Sequence, residues 1–254
     1  MRADLSDDLS FEAYYTYSDY RSTSIGKYYL SYGGFAENVL YDISDLDTYN
    51  ANLKATTLND DRQNMQKLFA GMQWNMFEMA GGMASTYFAA ETFDVDYRAD
   101  VDAQSEAGLV GGSAGNSAQG NRSVKAFSVE TILPVTDYLT IDAAVRYDDY
   151  DDFGSEVSPR LGATFTMIDN LVVKASYGQG FRAPDMSDLY GATSFSAEGA
   201  TDYYGCQLDG VAEADCPDRQ FDTYTGSNPD LGAETSETMS FGMEYTYDDN
   251  WVGS

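Results

Sequence analysis

The sequence predicts an all-β protein built of antiparallel strands, and three observations support this fold class. Apolar and polar residues alternate with a period of two in many separate stretches, which is typical of a strand with two different faces. Short turns alternate along the chain with long polar connections. No run of about 20 apolar residues is present, so the sequence contains no candidate transmembrane helix.

The alternation predicts eight complete strands and the start of a ninth. The first strand shows the pattern clearly, because Leu9, Phe11 and Ala13 share one face while Ser10 and Glu12 lie on the other. The predicted strands cover residues 9–18, 66–77, 83–97, 124–133, 139–147, 158–167, 171–184 and 239–247, with the ninth starting at 251.

The connections between these strands fall into two length classes. The short turns are 4–8, 78–82, 134–137, 168–170 and 248–250. The long connections are 19–61, 98–122 and 185–231, and 148–157 is intermediate. Short turns at one end and long loops at the other are typical of outer-membrane β-barrels, whose tilted strands of about 10 residues cross the apolar layer. A soluble β-sandwich also alternates, but its turns need not segregate by side.

The two architectures assign the strand faces differently. In a sandwich the apolar faces pack inward, whereas in a barrel they meet lipid and the charged residues line a wet lumen. The charges on the polar faces are Lys174, Arg146, Asp142, Glu244 and Glu12. Large aromatic residues near the strand ends fit the interfacial girdles of a membrane barrel. The pattern therefore favours a transmembrane barrel, closed at eight strands or part of a larger one.

Composition excludes several functional classes. The formal net charge of −28 argues against a nucleic-acid partner, because phosphates would be repelled. The absence of histidine excludes Ser-His-Asp and Cys-His nucleophiles and His-ligated zinc or haem. We predict no catalytic residue, no cofactor and no metal site. The acidic run 148–152 lacks the glycine and terminal glutamate of an EF-hand calcium loop, so we interpret it as an acidic turn, with divalent-cation binding as the alternative.

The two cysteines indicate the redox compartment of the protein, and the N-terminal residues indicate whether the sequence is a fragment. Cys206 and Cys216 lie close together in one polar loop, which suggests a local disulfide and an oxidising compartment, with two free thiols as the alternative. The first eight residues contain no apolar segment of a signal peptide. The simplest explanation is that the chain is an internal fragment of a longer protein.

Three ordered motifs carry a family resemblance. Residues 178–184 (GQGFRAP) are similar to the GxGFRAP signature of TonB-dependent outer-membrane receptors. Residues 228–242 resemble the family's NPxLKPExS…ExG return strand, although Gly232 and Ala233 replace the usual Lys-Pro and Ser240-Phe241 replaces a common acidic position. Residues 146–162 resemble its RYDxYxxFG…PKLG hairpin. The resemblance covers roughly residues 83–247.

The resemblance implies a fold, a function and a set of partners. It implies that residues 1–254 are part of one 22-stranded barrel domain whose plug domain and C-terminal strands are absent here. It implies active uptake of a scarce ligand, such as a ferric siderophore, cobalamin or an oligosaccharide. The implied partners are the plug, the inner-membrane TonB complex acting through the plug, and the lipid bilayer with its lipopolysaccharide. The implied location is the outer membrane of a Gram-negative bacterium, with the long loops extracellular.

Two groups of residues are candidates for function. The motif residues are interpreted as structural, with the glycines allowing a close approach of backbone or plug and the arginine pairing with carboxylates. They are Gly178, Gly180, Phe181, Arg182, Ala183, Pro184, Asn228, Pro229, Leu231 and Glu234. The candidate ligand-binding residues are aromatic and lie in the loop that holds the two cysteines. They are Tyr190, Phe195, Tyr203, Tyr204, Phe221 and Tyr224.

Two other functional classes are considered. A barrel-type membrane enzyme would need a nucleophile and a base at the rim, and without histidine the sequence shows no such arrangement. A structural or adhesive outer-surface β-protein needs only alternating strands and polar loops, so it is the alternative to a transporter.

Overall fold

The computed structural model describes residues 1–38, 50–51, 53–111, 115–168 and 170–246, and it describes only the backbone of residues 37–38 and 194–197. Twelve strands lie within these residues. They are β1 Arg2–Ser6, β2 Leu9–Ser31, β3 Lys54–Met79, β4 Gly82–Val101, β5 Val110–Gly111, β6 Ala118–Thr136, β7 Leu139–Tyr150, β8 Gly154–Ile168, β9 Leu171–Arg182, β10 Ser194–Thr201, β11 Asp218–Thr225 and β12 Glu234–Tyr245.

The helices are short and all lie in the long connections. They are α1 Tyr32–Asn38, α2 Ala103–Glu106, α3 Met186–Tyr190, α4 Tyr203–Leu208 and the 3₁₀ helix Glu213–Asp215. In the described part of the chain, no helix has the length and apolar character needed to cross a membrane.

One antiparallel sheet forms the body of the molecule. Its strands follow the order β1-β2-β3-β4-β6-β7-β8-β9-β12, so neighbours in sequence are neighbours in space, and β5 joins the sheet beside β2. The strands β10 and β11 form a separate hairpin. Among the described residues β1 and β12 do not pair with each other, so the sheet is not closed into a barrel. The predicted antiparallel all-β class is confirmed.

The register places the apolar residues of eight strands on one continuous face, which we call the apolar face. Ala143 of β7 lies opposite Leu161 of β8, and Ala175 of β9 lies opposite Phe241 of β12. Leu161, Phe165 and Phe241 are exposed, and so are most of the large apolar residues of this face. A soluble protein rarely exposes so wide an apolar surface, whereas a membrane barrel presents it to lipid. We call the opposite side the polar face.

The sheet has two unlike ends, defined by its connections. At the short-turn end, tight turns join β1 to β2, β3 to β4, β6 to β7 and β8 to β9. At the long-loop end, β2 and β3 run on far beyond the predicted strands, so about half of the predicted loop 19–61 is paired strand and residues 32–53 connect the two. That expectation was wrong because both faces of this extension are largely exposed, so no apolar alternation marks it.

Other predicted connections are also shorter than expected. The predicted loop 98–122 loses residues at both ends to β4 and β6. The intermediate connection 148–157 is a tight turn of residues 151–153, and the predicted turn 4–8 is partly the strand β1. The loop 185–231 is not irregular, since it holds α3, the β10–β11 hairpin and α4. Tyr247, the turn 248–250 and the ninth strand lie outside the described residues, as does residue 169 of the turn 168–170.

Candidate functional site

The two strongest sequence motifs are cross-strand neighbours at the long-loop end. Strand β9 ends with the first five residues of the GQGFRAP segment and pairs with β12, so Arg182 lies opposite Glu234 and Gly180 lies opposite Ser236. The Arg182 guanidinium donates to Asp185 at 2.9 Å and to Glu234 at 3.5 Å. Both ion pairs are exposed, so solvent screens them and they contribute little to stability.

The chain that follows the signature folds back over the polar face. We call residues 183–192 the α3 loop. Its α3 side chain Leu189 is 2% exposed, and Ala118 at the start of β6 forms a β-bridge with Gly191. The Ala192 amide donates to the Ser117 carbonyl at 2.7 Å. The α3 loop is therefore packed on β6, and Val124 of the same strand is also buried.

Arg122 of β6 anchors this loop. Its Nε donates to Asp152 Oδ2 at 2.7 Å and its Nη2 donates to the Pro184 carbonyl at 2.8 Å. The guanidinium carbon lies 5.5 Å from the ring centre of Tyr150 and 5.6 Å from that of Phe153, within cation–π range. The side chains of Arg122 and Asp152 are 10% and 4% exposed. We call these groups the Arg122 cage.

A cleft of about 380 Å³ opens between the α3 loop and the polar face. Side chains of β3, β4, β6 and β7 form its floor, and the start of the α3 loop forms its side. Its lining residues are Gln63, Phe93, Val95, Tyr97, Arg122, Tyr150, Ala183, Asp185, Met186 and Ser187. Aromatic walls beside a cation and a carboxylate suit a ligand that carries rings and hydrogen-bonding groups.

Sequence reasoning missed most of this cleft. Arg122 lies in the predicted loop 98–122, and Tyr150 lies just beyond a predicted strand end. The available signal was the small and apolar series Ala118, Gly120, Val124 and Ala126, which alternates with polar residues and extends β6 to its true start. The contact of Arg122 with Asp152 could not be read from that series, because they are 30 residues apart.

Tyr190 is the one predicted ligand residue that lies at the α3 loop. Its ring packs against Gly120, and its hydroxyl lies 3.5 Å from Asp152 Oδ2. Burial raises the pKa of the Tyr190 hydroxyl, and the negative charge of Asp152 raises it further. Tyr190 therefore stays neutral and can act as a hydrogen-bond donor toward the Arg122 cage.

Gly120→Ala is expected to displace α3. A Cβ at this position would overlap Cδ2 of Tyr190 and lie 2.9 Å from its Cε2, so the ring has to move. Such overpacking costs about 1–3 kcal/mol. Amide hydrogen exchange of residues 186–190 should become faster in the variant. Gly199→Ala is the control, because no described atom lies within 4 Å of its new Cβ; equal exchange in both variants would contradict this packing.

The other predicted ligand residues lie on the separate hairpin and on α4. Phe195 of β10 is opposite Tyr224 of β11, and the position of its side chain is outside the described part. Tyr203 and Tyr204 of α4 are exposed, as are Phe221 and Tyr224. None of these residues lines the cleft in the described structure, so their contact with ligand stays a prediction.

The predicted disulfide between Cys206 and Cys216 is confirmed. It links α4 to the end of the 3₁₀ helix at the tip of the β10–β11 hairpin, and Cys206 is buried. A ring of this size stabilises the loop by about 3 kcal/mol at most. Its effect is local, because the hairpin is not part of the main sheet.

The two glycines of the GQGFRAP segment, Gly178 and Gly180, differ in how closely neighbouring atoms approach the position of a Cβ atom. A Cβ at Gly178 would meet only ordinary contacts, the nearest being the Pro159 carbonyl at 3.6 Å. A Cβ at Gly180 would lie 3.3 Å from Ser236 Oγ, which is tight. The return motif reaches the α3 loop, because the Asn228 amide donates to the Asp188 carbonyl at 2.8 Å. The approach of a plug to these glycines stays a prediction.

A row of ionic groups crosses the polar face between the cleft and the short-turn end. Glu91 of β4 pairs with Lys67 of β3 and, at 2.5 Å, with Arg146 of β7, which also binds Asp148 at 2.7 Å. The side chains of Glu91 and Asp148 are 8% and 3% exposed. We call these four residues the charge ladder. Each buried carboxylate has a cationic partner, as burial of charge requires.

The acidic run 148–152 serves the fold. Asp148 belongs to the charge ladder, Asp151 accepts from the Ser123 amide at 2.9 Å, and Asp152 binds Arg122. In the described residues, no three or more Cys, Asp or Glu side chains are grouped so that they could hold a metal ion.

Asp102 organises the loop between β4 and β5. Its carboxylate caps α2 through the Gln104 and Ser105 amides, and it accepts from Ser105 Oγ and the Leu58 amide. Burial acts to raise the pKa of Asp102, but these hydrogen bonds outweigh it and lower the pKa. Because the folded pKa is depressed, the stabilisation is present above the unfolded pKa of about 3.9 and is lost as pH falls through the folded value.

Acidification is therefore expected to loosen the Asp102 loop. Pepsin should cut wild type near Leu109 increasingly as pH falls below about 4. Asp102→Asn keeps the cap but carries no charge, so it corrects for the pH profile of pepsin itself. The ratio of variant to wild-type cleavage should exceed one near pH 5 and approach one at lower pH. A ratio that does not vary with pH would contradict the assignment.

Two curated proteins are similar in sequence to part of this chain. In Pseudomonas aeruginosa, the ferric enterobactin receptor PirA is 29% identical over 153 residues, covering 57% of this chain and 19% of the relative. A second ferric enterobactin receptor of this organism is 24% identical over 145 residues, covering 56% and 18%. The matched part is thus about a fifth of each relative.

Solved structures and family models extend the comparison to the whole chain. A crystal structure of a mutant of the ferric enterobactin receptor PfeA from P. aeruginosa superposes with a TM-score of 0.61 at 19% identity, covering 97% of this chain and 31% of that one. This likeness concerns the fold. The family model described as TonB dependent receptor-like, beta-barrel, matches residues 2–254. The chain therefore belongs to the TonB-dependent receptor-like β-barrel family of the outer membrane.

Proposed function

We propose that this chain is part of the wall of an outer-membrane receptor that actively takes up a scarce small ligand. The family match over residues 2–254 carries this proposal. Among ligand classes, ferric siderophores are favoured over cobalamin and oligosaccharides, because the two curated relatives are named as ferric enterobactin receptors. The role is transport without catalysis, consistent with the histidine-free sequence.

The two faces of the sheet support this arrangement. The exposed apolar face is suited to lipid, and the polar face with its charge ladder is suited to a wet lumen. The long-loop end is assigned to the cell exterior, as in other outer-membrane barrels. A ligand entering from outside would then meet the cleft under the α3 loop. Phe93, Tyr97 and Tyr150 would contact its rings, and Arg122 and Asp185 its polar groups.

The proposal includes parts of the receptor beyond these residues. We infer that residues 1–254 belong to one barrel domain, which a plug domain and further strands complete. The matched part spans less than a third of the solved receptor structure, which supports a larger whole. Energy would come from the TonB complex of the inner membrane, acting through the plug. The polar face would contact the plug.

Uptake by whole cells tests the proposal. Cells lacking the gene and cells expressing it would be given iron-labelled siderophores, labelled cobalamin and labelled oligosaccharides, with and without a functional TonB complex. Accumulation of one class that requires both the gene and the TonB complex is expected. Unchanged accumulation of every class would overturn the proposal, and loss of surface attachment instead would favour an adhesive protein.

A substitution in the cleft tests whether the transported ligand binds there. Tyr97→Ala removes an aromatic wall of the cleft, and it is expected to weaken binding of the transported ligand by about 1–2 kcal/mol, close to a tenfold rise in Kd. Tyr224→Ala on the exposed hairpin is the matched control for the cleft. A larger loss of affinity at Tyr224 would move the binding site to the hairpin that sequence reasoning favoured.

A further inference from the structure

The walls of the cleft under the α3 loop hold more negative than positive charge. The described lining residues include one cation, Arg122, which is bound to Asp152 in a buried ion pair. They include one carboxylate, Asp185, which shares the guanidinium of Arg182 with Glu234. Three carboxylates therefore accompany two guanidinium groups, and the charge of Arg122 is already neutralised within the wall.

Asp61 adds a further negative charge at the edge of the cleft. It lies two residues from the lining residue Gln63, and therefore on the same face of β3. In the described part of the chain Asp61 forms no ion pair, and the nearby Arg21 and Arg62 bind Asp60 on the opposite face instead. The edge of the cleft therefore carries a carboxylate that no arginine neutralises.

The charges of Asp61 and Asp185 act on the same side chain, that of Tyr97. Tyr97 of β4 is directly opposite Gln63 of β3 and lines the cleft. Burial raises the pKa of the Tyr97 hydroxyl, and the negative charges of Asp61 and Asp185 raise it further. Tyr97 is therefore a neutral aromatic ring in a negative surrounding.

The ring of Tyr97 is available to a cation that comes from outside the protein. The described lining residues include three aromatic side chains, those of Phe93, Tyr97 and Tyr150. Lys67 Nζ lies 6.0 Å from the ring centre of Phe93, and the Arg122 guanidinium carbon lies 5.5 Å from that of Tyr150. Among the described residues, no cation lies within this range of the Tyr97 ring. A free aromatic ring beside carboxylates is suited to an organic ammonium group.

The connection that contains the α3 loop has the same sign of charge as the cleft. Residues 185–231 include ten acidic residues and one basic residue. A surface of one sign raises the local concentration of ligands with the opposite charge and repels ligands with the same charge. A negatively charged ligand would therefore be opposed both on its approach and inside the cleft.

We propose that the cleft selects a ligand with an organic ammonium group, which binds at the Tyr97 ring with Asp61 and Asp185 as its counter-ions. The rest of the ligand would contact Phe93 and Tyr150. This inference deepens the proposed function and rests on it, because it names the charge of the ligand that the receptor would transport. Among ferric siderophores it favours neutral or positive chelates with an amine, and it disfavours triply negative tris-catecholates.

Charged thiol reagents test the inference in the full-length receptor. Ser187→Cys places a thiol at an exposed lining position of the cleft, and the two native cysteines of this chain are paired in a disulfide. The probes are two methanethiosulfonates of similar size, one with a trimethylammonium group and one with a sulfonate group. The receptor without the substitution gives the background. Each rate is divided by the rate of the same reagent with a small thiol in solution, so that the ratio of the two reports the charge preference of the cleft.

The trimethylammonium reagent is expected to react about tenfold faster than the sulfonate reagent after this correction. Asp61→Asn with Asp185→Asn should bring the ratio close to one. The matched control, Asp222→Asn with Asp230→Asn, removes two exposed carboxylates of the connection 185–231 and should leave the ratio nearly unchanged. A ratio of one or below before these substitutions would overturn the inference, and so would an equal loss in the two double variants.

A pair of ferric complexes tests the recognition of a whole ligand. The probes are a linear ferric trihydroxamate with a terminal amine and the same complex with that amine acetylated, so the chelate is kept and the positive charge is lost. The amine form is expected to bind the receptor about tenfold more tightly, and the variant with Asp61→Asn and Asp185→Asn should bind both forms alike. An amine form that binds wild type no more tightly than the acetylated form would contradict the proposal.

The outcome is separable from the transport proposal. The reagent rates need no transported ligand and no TonB complex. A cleft that prefers the positive reagent, in a receptor that takes up no ligand, would retain this inference and overturn the proposed function. TonB-dependent uptake of a triply negative ferric complex, by a receptor whose cleft lacks that preference, would do the reverse.

Discussion

Arg122→Met is expected to release the α3 loop from the polar face. Methionine can still pack between Tyr150 and Phe153, but it leaves the Asp152 carboxylate buried without a cation and the Pro184 carbonyl without its donor. Removal of one partner from a buried ion pair costs about 3–5 kcal/mol. Residues 183–192 should therefore exchange their amide hydrogens much faster, by about a hundredfold or more.

The control for Arg122 is an exposed arginine of β11, in the connection that also holds the α3 loop. Arg219 is half exposed and lies 4.0 Å from Asp209, so Arg219→Met should cost about 0–1 kcal/mol and leave the exchange of the α3 loop unchanged. Asp152→Asn added to Arg122→Met removes the stranded charge and should restore part of the protection. Equal protection in wild type and Arg122→Met would show that the cage does not hold the loop.

Arg146→Met is expected to produce the largest loss of stability in the main sheet. It removes the cation shared by Glu91 and Asp148, whose side chains are 8% and 3% exposed. Lys67 still neutralises Glu91, but Asp148 keeps no partner from the charge ladder. The loss is about 3–5 kcal/mol, measured as a lower unfolding midpoint of the full-length receptor in urea and detergent.

Lys174→Met is the matched control for the charge ladder. Lys174 also lies on the polar face, but its partner Glu244 is 64% exposed, so solvent screens the pair and its loss should change the midpoint little. A midpoint shift in Arg146→Met no larger than that in Lys174→Met would contradict a structural role for the charge ladder. Asp148→Asn with Arg146→Met should recover part of the loss, because no charge is then left buried.

The alternation of apolar residues was enough to predict the all-β class and the approximate positions of eight strands of the main sheet. It works where one face meets lipid and the other meets water, because these environments select different side chains at successive positions. The pairing of Ala143 with Leu161 and of Ala175 with Phe241 is a direct result. The same physics explains why the extension of β2 and β3 into residues 19–31 and 54–61 was not predicted. Both faces of these segments meet water, so no alternation is required there.

The candidate site was harder to predict than the fold. The motif in residues 178–184 marks where the chain leaves the sheet, but the cleft beside it draws on four strands and a loop far apart in sequence. Tyr190 was found because aromatic loop residues are natural ligand candidates. Arg122 was missed because its importance depends on Asp152 and on the Pro184 carbonyl, neither of which a local pattern can bring beside it.

The short strand β5 has a consequence for the tall β2–β3 hairpin. At the tip, Ser31 donates its amide hydrogen to Leu53 on one side, and Tyr32 donates to Leu109 on the other. A hairpin normally frays from its open tip, where the last pairs have neighbours on one side only. Here β5 and Leu109 hydrogen-bond to the edge of β2 that β3 does not cover. For β2 to separate from β3 at the tip, these hydrogen bonds have to break as well. The projecting β2–β3 hairpin is therefore expected to be rigid up to its tip.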